Sequence, residues 1–182
     1  MILASGSPRR KELLSLYTND FTVCVSDFDE SAVTAETPAQ LVETLARGKC
    51  LAVARQHPGA LVLGCDTVVD VQGEVFGKPH SVEDARRMLR ALSGATHQVH
   101  TGVCVSDGSR TESFVDSCSV TFFPLSEKEI DLYTSTDEPY DKAGAYAIQG
   151  WAALWLDRIE GDYYTIMGLP VSRTVQLLAH FV

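Results

Sequence analysis

Two arginines, Arg9 and Arg10, follow the turn-forming stretch Ser5-Gly6-Ser7-Pro8 within the first ten residues. Ser7 suits a helix N-cap and Pro8 the first helical position, so both cations fall on the first turn of a helix. That end of a helix already carries partial positive charge and unpaired N–H groups, and each added cation is disfavoured there by a few tenths to ~1 kcal/mol. A bound anion would compensate, which reads as a phosphate seat. The alternative is that both guanidiniums point into water or pair with Glu12 or a distant carboxylate. The second position of interest is Asp66, in the middle of the apolar run Leu61 to Val69. A carboxylate there is costly unless it is paired, metal-bound or open to a polar cleft. A Mg²⁺ ion would compensate it, and so would a role as a base with a raised pKa, while Thr67 beside it offers a hydroxyl to a ligand. The plainer alternative places Asp66 at a strand end, capping a neighbouring loop.

Other polar residues sit where a ligand could use them. Gly77-Lys78-Pro79 holds an ammonium on a stiff loop, and Lys49 falls on a second helix. Either would clamp a phosphate, or remain a solvated charge. The acidic loop with Asp27, Asp29 and Glu30 offers metal carboxylates, or is simply solvated. Residues 141–150 combine small residues with Asp141, Lys142 and Gln149. Such a segment lets a flat ligand approach the backbone, and the Gln149 amide can donate to and accept from a nucleobase edge. Its alternative is a tight turn with Tyr146 and Ile148 in the core. Several signatures are missing. Arg47-Gly48-Lys49-Cys50 lacks the upstream glycine and the Ser/Thr of a Walker A loop, and no strand leads into a G-x-G-x-x-G. His97 and His100 point to opposite faces of an alternating strand, which excludes them as a zinc pair, and no nucleophile elbow is present.

The elements that must position these residues follow from periodicity and punctuation. Strands are expected at Ile2 to Ala4, Phe21 to Val25 and Leu61 to Val69, the last turning at Gln72-Gly73 into Glu74 to Phe76. Helices are expected after Thr37-Pro38, with Gly48 inside, after Ser81 and after Ser126, and at Val171 to Phe181. The first helix carries an apolar stripe of Leu13, Leu14 and Tyr17. Gln98 to Phe123 form a long hairpin around Asp107-Gly108-Ser109, and Trp151 to Ile159 and Tyr163 to Met167 read as two further strands. Early alternation of strands and helices with later hairpins implies a mixed sheet.

The chain has 182 residues, 45% of them hydrophobic, enough for one large domain or two lobes sharing one core. A formal net charge of −9 argues against nucleic-acid polymers and anionic membranes as partners, so an anionic ligand must be small and captured locally. Five widely spaced cysteines without a C-x-x-C read as reduced thiols in the cytoplasm. The start is too short and too soon charged for a signal peptide, and no apolar run reaches the length of a membrane span.

In order along the chain, Ser5-Gly6-Ser7-Pro8-Arg9-Arg10, Gly64-Cys65-Asp66-Thr67, Gly77-Lys78-Pro79, Leu92-Ser93-Gly94, Asp141 to Gly150, Gly161-Asp162-Tyr163-Tyr164 and Gly168-Leu169-Pro170 resemble the Maf family of nucleoside triphosphate pyrophosphatases. The resemblance covers residues 1–182 as one domain. It implies an elongated α/β fold like that of the inosine triphosphate pyrophosphatases, with a mixed β-sheet, flanking helices and two lobes around a nucleotide cleft. It implies hydrolysis of a nucleoside triphosphate to the monophosphate and pyrophosphate with Mg²⁺ or Mn²⁺, by a homodimer. By position, Asp66 matches the catalytic acid/base; in the mechanism this suggests, a metal held by Asp66 with Glu30 orients the attacking water. Arg9, Thr67 and Gln149 match positions tied to substrate choice, and Ser7, Arg10, Glu30, Lys49 and Lys78 match other polar positions of the cleft. The Asp-Lys-Ala-Gly-Ala-Tyr segment resembles the branch acting on dTTP and UTP, as opposed to the 7-methyl-GTP branch. Ala147, Cys65 and Thr165 depart from the family's commoner glycine, alanine and asparagine. Two rival readings are the 7-methyl-GTP branch or a broader activity on modified nucleotides, and a non-catalytic nucleotide sensor acting on cell division.

Overall fold

The structure is a computed structural model and describes residues 1–181. One mixed sheet organises it, with strands β1 (Ile2–Leu3), β2 (Thr22–Val23), β3 (Val62–Val71), β4 (Glu74–Phe76), β5 (Thr96–Ser106), β6 (Thr111–Phe122) and β7 (Leu156–Glu160). Their order is β2-β1-β3-β5-β6-β7, with β4 paired to β3. β1 runs parallel to both β2 and β3, and the remaining pairs are antiparallel. The helices are α1 (Pro8–Ser15), α2 (Pro38–Gln56), α3 (Val82–Leu92), α4 (Glu127–Thr134), α5 (Tyr163–Met167) and α6 (Val171–Leu178).

Strand alternation divides the interior in two. Leu63, Cys65 and Val69 of β3, with Val99, Val103 and Val105 of β5, join α1, α3, α4 and α6 in the larger core. On the other face, Val62 and Cys104 meet Ala46, Cys50, Val53 and Ala54 of α2. That second contact is close because glycines face the helix. A Cβ on Gly64 would lie 2.6 Å from the Ala46 carbonyl oxygen, and one on Gly102 only 2.3 Å from that of Val42. Gly48 within α2 has a similar reason: a Cβ there would enter the Phe28 ring at 2.3 Å. The loop carrying Glu30 is thereby laid against α2 beside Lys49.

Start signals in the sequence correspond to real caps. Ser7, Thr37, Ser81 and Ser126 each accept an N–H from the first turn of their helix, and Ser126 with Glu129 completes a capping box. Three expectations need correction. Tyr17 lies beyond the end of α1 and is exposed, so the stripe reduces to Leu13 and Leu14. Trp151–Leu154 is a 3₁₀ turn whose entry is held by Glu138 Oε1 accepting from the Trp151 N–H at 3.0 Å, and β7 begins only at Leu156. Tyr163–Met167 is a helix: the Asp162 carboxylate accepts from the Tyr164 N–H at 3.0 Å, and Gly168 ends the turn at φ 104°. The aromatic and β-branched content of Tyr-Tyr-Thr-Ile favours a strand, and the flanking Asp cap and left-handed glycine override it.

Candidate active site

Asp66 sits mid-strand in β3 on the face that meets α2, and it is 8% exposed. The two glycines that draw α2 onto the sheet bring Lys49, one turn above, onto this carboxylate. Lys49 Nζ donates to Asp66 Oδ1 at 2.6 Å and pairs with Glu30 Oε2 at 2.9 Å. The strand carboxylate is therefore compensated by an ammonium shared with the acidic loop, and the strand-end alternative does not hold. Asp66 Oδ2 takes no protein hydrogen bond among the described residues.

Thr67, next in the strand, faces the opposite side and holds a different partner. Arg10 Nη2 donates to Thr67 Oγ1 at 3.0 Å, Nε to the Gly168 carbonyl at 2.9 Å, and Nη1 to Ser5 Oγ at 3.2 Å. Arg10 thus ties the start of α1 to β3 and to the end of α5 through three protein oxygens, and no carboxylate pairs with it among the described residues. Arg9 is half-buried. Burial lowers its pKa, while the neighbouring Asp141 raises it and the charge of Arg10 lowers it further. Burial alone would raise Asp141, but its bond to Lys142 and the charges of Lys142 and Arg9 hold it below the usual carboxylate range.

These groups line one cleft of about 1450 Å³. Ser7, Arg9, Arg10, Glu30, Lys49, Asp66, Thr67, Lys78 and Gln149 all border it, so residues far apart in sequence converge on one space. Lys78 is exposed on a loop anchored by the Gly77 carbonyl, which accepts from the Gly144 N–H at 3.0 Å. Gly144 is required where it stands: at φ 69°, its Cβ would lie 2.8 Å from Val69 Cγ2. Gln149 is exposed and makes no side-chain hydrogen bond among the described residues, whereas Tyr146 and Ile148 are buried. Residues 141–150 therefore serve both purposes, a packed turn and a polar rim. Sequence reasoning did not place His80 and Arg87 at the cleft, where both lie with Asp84. The charges on α3 and in the loop before it carry no signal that separates them from an ordinary solvated surface.

Among the described residues no group of three His, Cys, Asp or Glu is placed to hold a metal ion by itself. Asp66 and Glu30 remain as a pair of hard oxygen donors converging on one cation, Lys49. Such a pair fits Mg²⁺, which is held by one or two carboxylates together with substrate phosphates. His97 is buried against Phe122 and Tyr146, and burial lowers its pKa to about 4, so it is a neutral core residue. The five cysteines are free, and burial pushes Cys65 up to about 12, leaving it an inert thiol. No helix among the described residues is long and apolar enough to cross a membrane.

Residues 1–181 match the sequence model of the family described as Maf-like protein. The chain belongs to the Maf-like family. This Maf-like chain is 51% identical over 181 residues to a protein of Symbiobacterium thermophilum named dTTP/UTP pyrophosphatase, covering 100% of this chain and 93% of that one. It is 48% identical over 181 residues to a protein of the same name from Bacillus velezensis, covering 100% and 96%. The Ham1 protein of Staphylococcus aureus has a similar fold at TM-score 0.50 and 19% identity, over 66% of this chain and 70% of that one. That likeness agrees with the expected mixed sheet with flanking helices.

Proposed function

We propose that this protein is a nucleoside triphosphate pyrophosphatase that hydrolyses dTTP and UTP to the monophosphate and pyrophosphate. The observation that carries the reading is the convergence of Arg9, Lys49 and Lys78 with the strand-borne Asp66 on one cleft. Its agreement with relatives named dTTP/UTP pyrophosphatase at 48–51% identity supplies the substrate class. In an acidic protein, a cluster of cations around one half-sequestered carboxylate suits a polyphosphate chain and a water to be activated.

In this reading the triphosphate lies along the start of α1. Arg9, Lys49 and Lys78 neutralise the charge that grows on the leaving pyrophosphate, and Arg10 holds the backbone that presents them. A water attacks the α-phosphorus and passes its proton to Asp66 Oδ2; the new P–O bond forms as the bond to pyrophosphate breaks. Asp66 and Glu30 would hold a divalent ion, Mg²⁺ or Mn²⁺, which supplies charge neutralisation at the phosphates. The free cysteines support a reducing, cytoplasmic setting, and a homodimer belongs to the same reading. Residues 1–182 act as one domain in this account.

The test is pyrophosphate release from a panel of dTTP, UTP, CTP, ATP, GTP and 7-methyl-GTP with Mg²⁺. The expected result is cleavage of dTTP and UTP ahead of the rest. Preference for 7-methyl-GTP, or intact nucleotides throughout, would overturn it. Gln149, as a free amide on the rim, is assigned the base edge. Gln149→Ala should alter the preference among nucleotides about tenfold while pyrophosphate release from the best substrate persists, read as kcat/KM for each nucleotide.

A further inference from the structure

A chain of hydroxyls beneath the cleft has a direction that the donors and acceptors dictate. Thr101 of β5 stands directly opposite Thr67 of β3 in the register and is fully buried. Its Oγ1 lies 2.7 Å from the carbonyl oxygen of Thr165 in the middle of α5, and a carbonyl can only accept. The single Thr101 hydroxyl proton is therefore committed to Thr165. Thr101 Oγ1 also lies 2.9 Å from Thr67 Oγ1, so in that contact Thr67 must be the donor. Arg10 Nη2, 3.0 Å from Thr67 Oγ1, can only donate. The order is fixed: Arg10 donates to Thr67, Thr67 to Thr101, and Thr101 to Thr165. One lone pair of Thr67 Oγ1 is then all that this hydroxyl has left for a ligand.

We infer that Thr101 is a positioning residue that turns Thr67 into an obligatory acceptor, and that the cleft thereby selects the N3–H edge of uracil and thymine over cytosine. The inference rests on the proposed dTTP and UTP activity. Phosphate oxygens offer no proton at neutral pH, so an acceptor-only Thr67 gains nothing from a triphosphate tail. Uracil and thymine share an N3–H donor, whereas N3 of cytosine is a lone pair that would oppose that of Thr67. Gly168 makes the arrangement sterically possible: its φ of 104° and missing side chain leave room where a Cβ would lie 3.3 Å from both Arg10 Nε and Thr67 Oγ1. The specificity is thus set one layer below the residue that touches the base, because a freely rotating threonine hydroxyl would donate to cytosine as readily as it accepts from uracil.

The experiment compares kcat/KM for UTP and CTP in the wild type, Thr101→Val and Thr101→Ser. Valine keeps the shape and frees the Thr67 proton; serine keeps the relay. The expected result is a UTP-over-CTP preference that falls about tenfold in Thr101→Val and is restored in Thr101→Ser, with the change mainly in KM. A folded Thr101→Val protein with unchanged preference overturns the inference. Should the valine variant fail to fold, Thr101→Ala, which also removes the hydroxyl and leaves a smaller side chain, is read for the same UTP-over-CTP ratio. A ratio that falls about tenfold supports the role and an unchanged ratio overturns it. Wild-type protein that releases no pyrophosphate from UTP or dTTP sinks the proposed function and this inference together. UTP hydrolysis without these effects sinks this inference alone.

Discussion

Asp66→Asn should lower pyrophosphate release from dTTP by about 10²–10⁴-fold with the fold intact, the range by which a positioned general base accelerates a reaction. Asparagine keeps the shape and leaves an acceptor for Lys49 Nζ, now 2.6 Å from Oδ1, so the α2–β3 contact survives. What it removes is the basic second oxygen, which carries no protein hydrogen bond among the described residues. The measurement is kcat at saturating dTTP, together with Tm. Near-wild-type turnover would remove Asp66 from the chemistry. Raising the Mg²⁺ concentration divides the two tasks assigned to this side chain. A deficit that closes with added metal marks a ligand, and one that persists at every concentration marks a base. Glu30→Gln is the companion variant, since Glu30 pairs with the same ammonium at 2.9 Å from a far more exposed position.

Why Asp66 was legible in the sequence and Thr101 was not is a matter of cost. A lone carboxylate in an apolar strand demands compensation that must appear somewhere in the fold, and it appears as Lys49. A threonine in an alternating strand demands nothing, because its hydroxyl is as easily satisfied by a neighbour as by water, so the relay through Thr101 and Thr165 gave no sign in the chain. The same logic holds for the elements. Ser7-Pro8, Thr37-Pro38 and Ser126 with Glu129 announced their helices through backbone donors that need acceptors, and all three cap as expected. Tyr163 to Met167 is a helix despite side chains that favour a strand, because its conformation is set by Asp162 and Gly168 at its two ends. Arg10 was the partial case. Its charge at a helix start was conspicuous, and its bonds to Ser5, Thr67 and Gly168 arise only once β3 and α5 are folded beside it. Pairing across such separations depends on topology, which local pattern does not encode.

Gly102→Ala should destabilise the protein by about 3 kcal/mol, although the residue has no side chain and does not line the cleft. The added Cβ would lie 2.3 Å from the Val42 carbonyl oxygen, 2.6 Å from its carbonyl carbon and 2.9 Å from the Glu43 nitrogen. All three are backbone atoms of α2, so no side-chain rotation relieves the contact and the helix must lift from β5. For a chain of this size such a loss lowers Tm by roughly 6–12 °C, read by calorimetry. Gly59→Ala is the comparison: no atom lies within 4 Å of its Cβ, and only its φ of 80° is penalised, a cost of about 1 kcal/mol. Activity should follow the helix. Lys49 reaches Asp66 only because Gly64 and Gly102 let α2 lie on the sheet, so raising α2 lengthens the 2.6 Å contact and withdraws a cation from the proposed phosphate path. A Gly102→Ala protein with wild-type Tm would show that the helix is not held where the glycines place it. One with lowered Tm but unchanged kcat at low temperature would show that the position of Lys49 does not depend on that packing.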